Sequence, residues 1–291
     1  MSLPPQPWPT GRLEQVEPQV ARILAPNASR FTYTGTQTYL VGGDDALAVI
    51  DPGPDEPDHL AALEAAIGGR EVLAIACTHT HRDHSPAAAP LAARTGAPII
   101  GCAPLALAKE AGEGAEEPFD RTYAPVRVLA DGETIAGPSW TLEAVATPGH
   151  TSNHLCYALR GTGVLLTGDH VMGWSTTAIS PPNGDMGAYM ASLEKLQARG
   201  DRIFYPAHGA PVQRPAQLLR GLIGHRLQRE RQILRLLAEQ GRAVEQLVAP
   251  MYAGLDPALW PAAGKSVLAH LLDLERRGLV ARSGGKWTTI A

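Results

Sequence analysis

The 291-residue chain is short of cysteine, with only three. Cys77, Cys102 and Cys156 form no CxxC pair and lie in apolar contexts, so buried free thiols in a reducing, cytoplasmic setting are expected. No stretch approaches 18 uninterrupted apolar residues, which excludes a membrane-spanning helix. The start, Met1 to Pro9, lacks a basic region followed by an apolar one, so the chain reads as unexported. What is present is ordinary for a globular protein: 44% of residues are apolar, and the length suits one large domain plus a small appendage. The net charge of −4 hides an asymmetry. Residues 209–291 hold 12 Lys and Arg against 6 Asp and Glu, leaving 13 against 23 for residues 1–208.

Histidine is concentrated. Of ten in the chain, His79, His81 and His84 fall with Asp83 inside six consecutive residues. The preceding run, Glu71 to Cys77, is short and free of breakers, so it reads as a buried strand with the ligands on the loop at its end. On a helix, residues two apart point about 200° from one another, whereas in an extended segment they face one side. His79 and His81 can therefore face one metal, and Asp83 and His84 a second. Ser85-Pro86 suggests that a helix starts there.

The strand-end pattern recurs along the chain. Phe31–Val41, rich in Thr and Tyr, and Ala46–Ile50 read as a hairpin about Gly42-Gly43. An edge strand is expected near Val20–Leu24, and a helix over His59–Ile67 closed by Gly68-Gly69. Asp51 ends the second hairpin strand, either as a turn former or as a partner orienting a ligand imidazole. Further strands end at His150, Asp169 and His208, so that four strand ends can converge on one rim of a sheet. The acidic stretch from Lys109 to Asp120 reads as a surface loop flanking the site.

With His-x-His-x-Asp-His at 79–84 followed by His150, Asp169 and His208, the chain resembles the metallo-beta-lactamase superfamily over about residues 20–215. The resemblance implies a four-layer αββα sandwich of mixed α/β class with the site along one edge. It implies a first metal on His79, His81 and His150, a second on Asp83, His84 and His208, and Asp169 bridging. Two divalent cations about 4 Å apart can share a water and lower its pKa towards 7, with Asp83 accepting the proton. Imidazole and carboxylate ligands suit zinc, with manganese or iron as alternatives. His154 and His170 can touch substrate or act behind the ligands.

Within the superfamily, Thr147–His154, Thr167-Gly168-Asp169 and the C-terminal extension resemble the beta-lactamase-like protein 2 group, one member of which is associated with cleavage of single-stranded RNA. Gln37 and Ala207-His208-Gly209-Ala210 depart from its usual Asn and Gly-His-Gly-Pro. The group implies a catalytic domain over 1–215 and a winged helix over 216–291. Helices read at 220–241, 243–251 and 266–277, with a hairpin about Ser283-Gly284-Gly285, agree with that grammar. Three functions stay open. One is a hydrolase acting on RNA or a small molecule, one a thioesterase resembling glyoxalase II, and one a nucleic-acid-binding module with a vestigial site. The basic tail segment suits phosphate contact, or packing against the catalytic domain or a second copy in a homodimer.

Overall fold

The computed structural model describes residues 9–105 and 119–290. The chain divides into two compact units, one from residues 1–146, 153–175 and 201–213, the other from 147–152, 176–200 and 214–291. Among the described residues no helix is long and apolar enough to cross a membrane.

The first unit holds two sheets. Strands β1 (Glu14–Glu17), β2 (Val20–Leu24), β3 (Gln37–Gly42), β4 (Ala46–Ile50), β5 (Glu71–Cys77), β6 (Ile99–Gly101) and β7 (Arg127–Val128) lie side by side in chain order. They are antiparallel up to β4 and parallel from there. Parallel neighbours need a crossover, supplied by α1 (Pro57–Ile67) between β4 and β5 and α2 (Ala88–Thr95) between β5 and β6. The second sheet, in the order β12-β11-β10-β9-β8, contains β8 (Thr134–Ala136), β9 (Thr141–Ala146), β10 (Leu155–Leu159), β11 (Val164–Gly168) and β12 (Ile203–Pro206). Only its β11–β12 pair is parallel. Ile23, Leu47 and Ile75 of the first sheet share one core with Leu142, Tyr157 and Leu166 of the second, and Leu63 and Leu91 bring α1 and α2 onto it.

Several expectations change. Val20–Leu24 is not the edge, because β1 pairs outside it and all five of its residues are buried. The hairpin strand begins at Gln37 rather than Phe31, because Tyr33 takes a left-handed φ of +60° and Gly35 a φ of +130°. A Cβ at Gly35 would lie 2.2 Å from Ala25 O, so that bend requires glycine. The helix after His84 begins only at Ala88, and the Ser85 hydroxyl donates to Asp120 instead of capping it. Of the stretch from Lys109 to Asp120, residues 109–118 lie outside the described residues.

In the second unit α3 (Met186–Arg199), α4 (Pro215–Glu239), α5 (Val244–Met251) and α6 (Trp260–Arg276) precede the hairpin of β13 (Val280–Ser283) and β14 (Lys286–Thr289). Prolines at the starts of α4 and α6 place their beginnings at 215 and 260, earlier than expected. Gly284 and Gly285, both at positive φ, make the tight turn. Trp287 is buried among Ile233, Leu237, Val267 and Leu271, which joins hairpin to helices.

His59 of α1 is fully buried, its Nε2 lying 3.0 Å from Pro52 O and 3.1 Å from Thr38 Oγ1. Burial pushes its pKa down to about 4, against the opposing pull of the Pro52 carbonyl. A depressed histidine leaves stability intact above the unfolded value and removes it as pH falls towards the folded one, here on the order of 3 kcal/mol in all. His59→Gln should therefore flatten the loss of stability between about pH 6.5 and pH 4. Urea midpoints taken for variant and parent, at neutral pH and at the acid end of that window, check this; equal losses in both proteins count against it.

Candidate metal centre

Because Ile50 of β4 pairs with Ala76 of β5 in parallel, the residues just past both strands meet. Asp51 Oδ1 accepts from Thr78 N at 2.7 Å, and Oδ2 accepts from Thr78 Oγ1 at 2.8 Å and faces His84 Nδ1 at 3.0 Å. The carboxylate fixes the His84 tautomer, with Nδ1–H donating and Nε2 turned the other way. One residue on, His79 Nε2 and His81 Nδ1 stand 2.7 Å apart, the common facing that an extended segment predicts.

The parallel pair β11–β12 repeats the device. Gly168 pairs with Pro206, and Ala207 N donates to Gly168 O, so Asp169 and His208 emerge together. Gly168 has a φ of +49°, and a Cβ there would come within 2.7 Å of Thr78 Oγ1 and 2.8 Å of His154 Nε2. The strand ends therefore close up only around glycine. Leu155 N donates to Thr78 O and Tyr157 Oη to Cys77 O, which joins the two sheets at this point. The rim is thus shared by two sheets, not formed by one.

His79, His81 and Asp169 each offer a ligand atom within 4.8 Å of one another, and so do Asp83, His84 and His208. Asp83 Oδ2 lies 3.3 Å from His84 Nε2 and 3.1 Å from His208 Nε2, and Asp169 Oδ1 lies 3.7 and 3.2 Å from the same two atoms. His208 Nδ1 is 3.2 Å from Gly35 O, which leaves its Nε2 for the centre. His84 Nε2 is buried with no hydrogen-bond partner, aimed between two carboxylates. A divalent cation satisfies such an atom, and these residues fit one.

The electrostatics agree. Burial by itself would raise the Asp83 pKa, but the charge of His84 and the hydrogen bond and charge of His208 outweigh it and hold the carboxyl well below its usual range. Burial disfavours charged His84, yet Asp83, Asp169 and Asp51 push its pKa well up. The His208 pKa is raised in the same way, against burial, by Asp169 and Asp83. Carboxylates packed around imidazoles make a cavity that favours positive charge.

His150 belongs to the 147–152 segment of the second unit, where its Nδ1 lies 2.8 Å from Ala178 O. His154 is buried, and its Nε2 accepts from Asp169 N at 3.2 Å. His170 is fully buried 5.9 Å from the His154 ring, measured between centroids. Sequence reasoning missed Thr36, whose hydroxyl donates to Asp83 Oδ2 at 3.3 Å, and the Gly35 carbonyl under His208. Gln37 proves structural: Arg22 donates to its Oε1, and its amide donates to Gly209 O at 2.7 Å beside His208. Phe119, at the end of the flanking stretch, stacks on His81 with centroids 4.6 Å apart.

The family model described as the metallo-beta-lactamase superfamily matches residues 32–208, and that of the beta-lactamase associated winged helix domain matches 243–287. The chain belongs to the metallo-beta-lactamase superfamily and carries that winged helix domain. It is a metal-dependent hydrolase of this fold, the αββα sandwich. The atrochrysone carboxyl ACP thioesterase AgnL7 of Paecilomyces divaricatus is 31% identical over 86% of this chain and 74% of its own length. A beta-lactamase domain protein from Burkholderia ambifaria superposes with a TM-score of 0.82 at 20% identity, over 97% of this chain and 94% of that one. TTHA1623, solved in a di-iron-bound form, gives 0.53 at 28% identity, over 66% and 94%.

Replacing Asp51 by Ala leaves Thr78 N–H and His84 Nδ1 facing an apolar gap. Metal affinity should fall by about 10- to 100-fold, the usual cost of losing the partner of a ligand imidazole. Competition with a chelator measures it, and unchanged affinity would remove Asp51 from the centre's support.

Proposed function

We propose that the chain hydrolyses a thioester, with an acyl group carried on a thiol as substrate class. The observation that carries this is the 31% identity, over most of both chains, to a protein named as an acyl-carrier-protein thioesterase. The reading of the chain as an RNA phosphodiesterase has no comparable support. His79, His81 and His150 would hold one ion, Asp83, His84 and His208 the other, with Asp169 between them; His150 is assigned by the family's ligand order. The imidazole and carboxylate set suits zinc, and manganese or iron are the alternatives. Bound divalent ions supply Lewis acidity at neutral pH.

In the reaction water adds to the thioester carbonyl, the C–S bond breaks, and an acid and a thiol leave. Asp83 is the proton acceptor. Its side chain is 25% exposed, against 11% for Asp169 and 0% for His84, so it faces the approach of substrate and water. Thr36 holds its Oδ2 from behind. Asp51 and the Gly35 carbonyl keep the protons of His84 and His208 on Nδ1, out of the centre.

We assign the catalytic domain to residues 1–215 and the winged helix to 216–291, a division that falls between the two family matches. The winged helix acts by packing. Arg277 pairs with Glu230 and Asp273, and Arg276 with Asp273 and Asp185, so these two cations are already matched inside the second compact unit. A cytoplasmic location suits the buried free thiols.

Metal analysis followed by parallel assays on S-lactoylglutathione, an acyl-carrier thioester and single-stranded RNA tests this. Thioester turnover should appear and should fall at least about 100-fold in Asp169→Ala, no less than the loss of an outer partner would cause. RNA cleavage without thioester turnover would overturn the proposal.

A further inference from the structure

A ligand imidazole is only as well placed as the acceptor that holds its other nitrogen. For His150 that acceptor is Ala178 O, 2.8 Å from Nδ1. Ala178 lies in the stretch between β11 and α3 that has neither helix nor strand. Its carbonyl is fixed through its neighbours. On one side Ile179 is buried. On the other, the Thr177 carbonyl accepts from Arg226 Nη2 of α4.

Arg226 is an unusual residue for that position. It is only 4% exposed, and its guanidinium lies over the Tyr189 ring at 5.3 Å. Its Nε has no hydrogen-bond partner, and no ion pair to a carboxylate is found for it among the described residues. A buried charge without an ion-pair partner is costly, and a charge-assisted bond to one carbonyl is a poor reason for folding to retain it. The segment bearing His150 is held on the same scaffold. Ser192 Oγ donates to Pro148 O at 2.8 Å, and Asp185 N donates to Gly149 O at 2.9 Å.

We propose that Arg226 is a positioning residue for the metal centre. By anchoring the Thr177 carbonyl it steadies the one that follows, Ala178 O, which keeps the His150 proton on Nδ1 and off the Nε2 that would bind metal. This rests on the assignment of His150 as a ligand in the proposed function. It gives the segment that follows the catalytic fold a share in the chemistry, since α4 supplies the anchor.

The test uses the full chain, stripped by chelator and titrated with Zn²⁺ against a competing chelator. Arg226→Met keeps the bulk over Tyr189 and removes charge and donors. It should weaken one of the two ions about 10- to 100-fold, as for loss of an outer partner, and leave the other within about twofold. Arg226→Lys, which keeps charge and a donor, should weaken the same ion less; if the Met variant does not fold, this selective loss in the Lys variant decides. Equal weakening of both ions, or none, in a folded variant overturns the inference. His150→Ala separates the two levels: it should abolish one ion. If it instead retains both, the ligand assignment fails and the Arg226 inference with it; if it loses one while Arg226→Met keeps both at parental affinity, only the inference fails.

Discussion

A single buried carboxylate, Asp51, takes hydrogen bonds from the N–H and hydroxyl of Thr78 and stands 3.0 Å from His84 Nδ1. The ends of two parallel strands and one ligand imidazole therefore share one acceptor. To reach it the Asp51 backbone adopts a φ of +48°, a conformation that costs a non-glycine residue roughly 1–3 kcal/mol and persists only when its surroundings dictate it. Two hydrogen bonds to an ionised acceptor, together with the imidazole, are of a size to offset that. The metal loop is thus tied to the sheet by the group that also sets the tautomer of His84.

Parallel pairing explains why the other ligands arrive together. In an antiparallel pair, consecutive strand ends lie at opposite edges, and residues following them cannot meet. The two parallel pairs, β4–β5 and β11–β12, send Asp51 with Thr78 and Asp169 with His208 to the same edge. The sheets are then stitched there by Leu155 N to Thr78 O and Tyr157 Oη to Cys77 O. Gly168 is the steric condition for that closure, since any side chain would strike Thr78 or His154.

Much of this is legible from residue spacing. His79 to His84 announce a site because four candidate ligands in six positions, three His and one Asp, have no packing rationale, and the breakers after each apolar run mark the strand ends. Less is legible where the information is nonlocal. Nothing in Phe31–Thr36 says that Tyr33 turns left-handed, so the strand reads too long from residue types alone. The three-residue β8 is too brief for a periodic signal, and β10 lies hidden behind the His150–His154 motif. The apolar spacing of Met186, Tyr189, Leu193 and Leu196 does carry a signal for α3, capped by Asp185. Backbone acceptors such as Gly35 O and Ala178 O leave no trace in residue type, so the supports of His208 and His150 emerge only from the folded chain.

The composition of the centre also bears on whether it is a relic. Asp51, Asp83 and Asp169 crowd His84 and His208, and burying carboxylates and imidazoles this closely is unfavourable unless charges are matched and lone pairs filled. The His84 Nε2 atom, sealed from water without a hydrogen-bond partner, marks the position where the protein alone does not complete the balance. Apolar residues of similar volume would fill the same edge at no loss of stability or with a gain, as replacements of buried ion pairs often do. A nucleic-acid-binding module that had lost its chemistry would gain by such replacements and has no use for Asp51 and Gly35 O holding His84 and His208 in a metal-binding tautomer, or for Thr36 holding the Asp83 carboxylate. The arrangement makes physical sense when cations occupy it, and that favours a working hydrolase over a scaffold.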